Sequence, residues 1–89
     1  MEVVLVERSF KEPVSMNDLN ESEKKAHWCM ELHRVTFLQS FVSSDGLRMI
    51  CVYSGPDAES VRKANATIGL PFDRVWTARS LTPEDFPGR

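Results

Sequence analysis

Apolar and polar positions alternate in blocks that change period along the chain. Residues 2–10, "EVVLVERSF", are rich in Val and Leu and predict a first strand, which Pro13 and the polar residues behind it close. "SMNDLNESEKKAHWCMELH" then follows a helical period, with Ser15 as N-cap and Asp18 three residues on. At about 100° per residue, Leu19, Ala26, Cys29, Met30 and His33 share one face, while Glu23, His27 and Glu31 share another. "RVTFLQSFVSS" and "LRMICVYSG" predict two strands joined through Asp45-Gly46, because glycine tolerates positive φ without a steric cost. A second helix follows over "GPDAESVRKANATIG", with Asp57 as N-cap, Val61, Ala64 and Ile68 as buried stripe and Gly69 after its end. "FDRVWTARSL" predicts the last strand.

The order β-α-β-β-α-β predicts an α+β, ferredoxin-like domain: a four-stranded antiparallel sheet with two helices on one face. We expect one domain over residues 1–80 and a Pro- and Gly-containing C-terminal tail over residues 81–89. Strands two and three carry apolar residues on both parities, Phe37 and Phe41 against Leu38 and Val42, and Met49, Cys51 and Tyr53 against Ile50 and Val52. Helices cover only one face, so the other needs a cover as well. The expected cover is a second copy, giving a homodimer whose sheets face each other in a dimeric α/β barrel.

Composition narrows the function classes. The chain of 89 residues carries 11 Lys and Arg against 13 Asp and Glu, a net charge of -2, with no basic stripe, so a nucleic-acid partner is not expected. No apolar run approaches the roughly 20 residues of a membrane span, and the first residues do not read as a signal peptide. With two cysteines expected to be reduced, the expected location is cytoplasmic.

Three groups of residues could carry chemistry. Cys29 and His33 lie one helical turn apart and offer thiolate and imidazole, which suit zinc, nickel or copper. His27 sits about 120° around the helix from His33, so His27, Cys29 and His33 do not all reach one ion. The plainer alternative makes Cys29 a small buried hydrophobe and His33 a helix-end residue. Glu23, His27 and Glu31 form a row at i, i+4, i+8 that could hold a divalent ion weakly or simply be a solvated face.

The third group is the sheet face away from the helices. Ile50 and Val52 read as the better core residues, which sends Cys51 and Tyr53 to the open face, together with Phe37, Gln39, Phe41, Trp76 and, on strand one, Glu7. An enclosed set of aromatic, sulfur and few polar groups is how small-molecule pockets are lined. A glutamate there could serve as acid or base, so a cofactor-free barrel enzyme, oxygenase- or lyase-like, stands as the alternative to a binding protein. A plain interaction or scaffold domain is the third reading.

The segments "LVERSF", "FVSSDGLRMICVYSGPDAESVRKAN" and "GLPFDRVW" resemble a family of small bacterial ferredoxin-like domains of unassigned function, grouped with a Streptomyces nickel-responsive protein. The resemblance spans roughly residues 2–79 and is most specific from Ser44 to Asn65. It implies a ferredoxin-like fold, a barrel-forming dimer and an association with nickel or another divalent transition metal, without assigning ligands. The leading expectation is thus a dimeric ligand-binding protein with nickel as the leading ligand class.

Overall fold

A computed structural model describes residues 1–88. The elements run β1 (Glu2–Ser9), α1 (Met16–Leu32), β2 (Thr36–Val42), β3 (Arg48–Gly55), α2 (Ala58–Ala66) and β4 (Arg74–Ala78), followed by a short 3-10 turn at Pro83–Asp85. The four strands form one antiparallel sheet in the order β2-β3-β1-β4. This is the α+β, ferredoxin-like order expected from the sequence.

Both helices begin as the capping residues dictate. Ser15 Oγ accepts the Asp18 N–H at 3.0 Å, and Asp57 Oδ1 accepts the Ser60 N–H at 2.7 Å. The backbone N–H of Ser60, then its hydroxyl, hold the exposed Asp57 carboxyl below its ordinary value of 3.8. A depressed folded-state value means this contribution is present above the unfolded pKa and is lost as pH falls through the folded one. Thermal melts between about pH 5 and pH 2 should therefore show an acid-side loss of stability that is smaller in Asp57→Asn.

The end of α1 departs from expectation. Arg34, read as the start of strand two, instead closes the helix with φ at 60°. The Val35 N–H donates to the Met30 carbonyl and the Arg34 N–H to the Glu31 carbonyl, a Schellman closure built without its usual glycine. The β2–β3 turn is wider than Asp45-Gly46 alone. Asp45 Oδ1 accepts from the Leu47 N–H and the Ser43 hydroxyl, and Ser43 N–H donates to the Arg48 carbonyl. Gly46 has φ at 74°, and a Cβ there would lie 3.0 Å from Pro13 Cβ, so both conformation and space call for glycine.

The core lies between the sheet and both helices. Val4 and Val6 of β1, Met49, Cys51 and Tyr53 of β3 and Val75 of β4 pack with Ala26, Met30, Val61, Ala64 and Ile68. This reverses the parity expected for strand three. Val4 pairs with Tyr53 and Val6 with Cys51, and residues directly opposite in an antiparallel ladder share a face. Cys51 and Tyr53 therefore face the helices, and Ile50 and Val52 face away. Phe37 is corrected too. The β2–β3 register shifts between Phe37 and Gln39, so Phe37 pairs with Tyr53 on the helix side while Gln39 and Phe41 stay with Val52 and Ile50 on the open side. Trp76 and Glu7, on β4 and β1, also lie on the open side.

Candidate functional site

α1 stands off from the β2–β3 half of the sheet and leaves a groove of about 790 Å³. The helix supplies one wall, including Leu19, Ala26 and Met30, with Glu23, His27 and Glu31 at the rim. The strands supply the other with Phe37, Ser40, Val42 and Met49. Phe37 meets Tyr53 edge to face, with ring centroids 5.8 Å apart at 63°.

The groove's walls are largely apolar, and at its floor β1 places a buried arginine. Arg8 Nε donates to Cys51 Sγ at 3.5 Å, Nη1 to the Pro71 carbonyl at 3.3 Å, and Nη2 to the Tyr53 hydroxyl at 3.2 Å and to Asn65 Oδ1. Asn65 is fixed in turn, because its Nδ2 donates to the Val61 carbonyl at 2.9 Å and its Oδ1 also accepts from the Tyr53 hydroxyl at 3.3 Å. Ser40 Oγ donates to Cys51 Sγ at 3.4 Å. Burial pushes the Tyr53 phenol up to about 12, helped by neighbouring Cys51 and opposed by Arg8, so Tyr53 is neutral at physiological pH.

Sequence reasoning named Cys51 and Tyr53, though on the other face, and missed Arg8 and Asn65, although both left a mark. Arg8 continues the Val4, Val6 alternation into the core, and Asn65 sits four residues after Val61 and three before Ile68, inside an apolar stripe. A polar residue at an apolar position of a regular pattern is the signal that would have found them.

The open face of the sheet is different. Leu5, Ile50 and Val52 line up across β1 and β3 with Phe41 and Trp76 on either side. Phe41 and Trp76 are exposed in one chain. Glu7 Oε2 accepts from Trp76 Nε1 at 2.8 Å and lies 3.9 Å from Arg74 Nε. A shallower recess of about 360 Å³ at the sheet end includes Glu7, Phe41 and Ile50.

The three residues read as metal ligands have different surroundings. His27 is exposed, with Nε2 3.4 Å from Glu31 Oε1. Cys29 is buried, with Sγ 2.7 Å from Thr67 Oγ1. His33 is the C-cap residue, its backbone N–H bonded to the Cys29 carbonyl. Among the described residues, no group of three or more His, Cys, Asp or Glu is placed to hold a metal ion.

Fold and groove together define a small α+β domain with one face built around a ligand-sized groove and the other an uncovered apolar sheet. The family described as nickel responsive protein SCO4226-like matches residues 5–77, and the chain belongs to that family. The crystal structure of SCO4226 from Streptomyces coelicolor A3(2) superposes with a TM-score of 0.79 at 15% identity, covering 90% of this chain and 99% of that one. At that identity the likeness speaks for the fold. No curated protein matches. His27 and Glu31, 3.4 Å apart, are two adjacent donors of types that suit nickel, short of the three or four that usually close a site. No helix among the described residues is long and apolar enough to cross a membrane.

Proposed function

We propose that this chain is a homodimeric ligand-binding protein of the cytoplasm, with two open sheet faces packed in a dimeric α/β barrel, and that its metal ligand is nickel or a similar divalent transition ion. The observation that carries the reading is the open face. An antiparallel sheet with helices on one side ordinarily turns polar residues to water on the other. Here that side carries Leu5, Phe41, Ile50, Val52 and Trp76. A second copy related by a two-fold axis covers such a patch with itself. The two cysteines are free and buried, which suits a reducing compartment.

Nickel is supported by the family's description and by donor chemistry. Imidazole and carboxylate are both suitable ligands for it, and His27 and Glu31 present them side by side on the exposed face of α1. The remaining positions of the shell fall to water or to the second copy.

Calorimetric titration of tag-free protein with nickel tests this reading. Saturable binding that weakens at least roughly tenfold in His27→Ala is the expected outcome, since even outer-shell partners of a metal cost that much. A parent chain that takes up no nickel, or a variant indistinguishable from it, removes the metal from the proposal.

A further inference from the structure

Arg8 is a buried cation without a carboxylate partner. It is only 2% exposed. Its four hydrogen bonds go to a cysteine sulfur, a backbone carbonyl, a hydroxyl and an amide, and none goes to a carboxylate. The ion pairs among the described residues use Lys24, His27, Arg62 and Arg74 as cations, and none includes Arg8. Charge taken out of water is ordinarily paired, because dipoles alone recover only part of the lost hydration. Guanidinium also carries five N–H donors, one more than the four bonds it makes here.

Arg8 is among the residues that line the groove between α1 and the sheet. Above it the walls are Leu19, Met30, Val35, Phe37, Met49 and Leu70. About 790 Å³ of space, walled largely by apolar side chains with a buried cation among the lining and polar residues at its rim, has the size and make-up of a small-molecule site. The anchor fixes the ligand's charge and the walls fix its body. Glu23 and Glu31 at the rim are exposed and screened over a Debye length of about 8 Å at physiological salt, whereas the charge at the floor is not.

We propose that this groove binds a small organic carboxylate with an apolar body, its carboxylate accepting from Arg8 and its chain or ring lying along Met30 and Phe37. The carboxylate supplies the missing counter-charge through charge-assisted hydrogen bonds, the form in which arginine recognises such groups best. Ser40 and Tyr53, also in the lining, carry the neighbouring hydroxyls. The site differs from the nickel donors, His27 and Glu31, which lie out at the rim.

Decanoate and decanol, alike in chain and different in charge, provide the test by calorimetry on the full chain. Decanoate is expected to bind saturably, and decanol at least roughly tenfold more weakly, as befits loss of a charged hydrogen bond. Arg8→Met should abolish that preference. Leu19→Trp, which fills the groove and leaves Arg8 intact, should block decanoate while nickel binding stays as in the parent chain, and it serves equally if Arg8→Met does not fold. Equal affinity for the two probes in the parent chain overturns the proposal, as does the absence of decanoate binding or its persistence in Leu19→Trp.

Discussion

Asn65→Ala should melt roughly 12–24 °C below the parent chain at equal protein concentration, the equivalent of about 3 kcal/mol in a domain of this size. Asn65 is fully buried and has partners on three sides. Its Oδ1 accepts from Arg8 and Tyr53, and its Nδ2 ties that oxygen to the Val61 carbonyl one turn back on α2. Alanine removes the acceptor and keeps the cation. Arg8 then loses one of its four bonds at a fully buried position, and the amide's volume becomes a void. Each effect destabilises on its own, the first by roughly 1–3 kcal/mol or more for a charged donor and the second by an amount that depends on how far Ile68 and Val61 relax. Circular dichroism melts measure the shift. A drop below about 5 °C would show that the cluster is not a principal support of the α2–sheet contact.

Ile50→Lys should turn the proposed dimer into a monomer while leaving each domain folded. Ile50 is central on the open face, directly opposite Glu7 on β1 and Phe41 on β2. In one chain a lysine there stands beside the Glu7 carboxylate and reaches water, a pairing that sheets tolerate well on exposed faces. In a face-to-face dimer the same ammonium, and its two-fold copy, lie in an apolar interface. Burying a charge there costs several kcal/mol, so the dissociation constant should rise at least roughly 100-fold. Light scattering at micromolar concentration, with a far-ultraviolet spectrum as the check on folding, reads both. A parent chain that is already monomeric, or a variant that stays dimeric, removes the barrel from the proposed function.

Local signals in the chain carried much of the fold. Ser15 and Asp57 cap helices where their side chains predict, because an N-cap is a contact between residues three apart and needs no distant partner. The order of strands and helices was legible for the same reason. The side to which a strand turns its residues was not. Met49, Cys51 and Tyr53 alternate with Ile50 and Val52, and both sets are apolar enough to be core. Hydrophobicity selects a face only when the two faces differ. The bulge after Phe37 compounded this by moving one aromatic to the helix side while Phe41 stayed on the other.

The metal residues show the same division. Helical spacing already set His27 about 120° around α1 from His33, and in the structure His27 lies beside Glu31 while His33 is the C-cap. The groove floor is the opposite case. Tyr53 and Asn65 lie 45 and 57 positions from Arg8 along the chain, and only the β1–β3 register and the seating of α2 on the sheet bring the three together. Element order, helix caps and an apolar excess too large for one helix layer were legible in the residues, since these depend on neighbours within a turn or a strand. Tertiary structure alone decided which parity faced the helices and that a lone cation would sit beneath a groove, because both follow from pairing between distant strands.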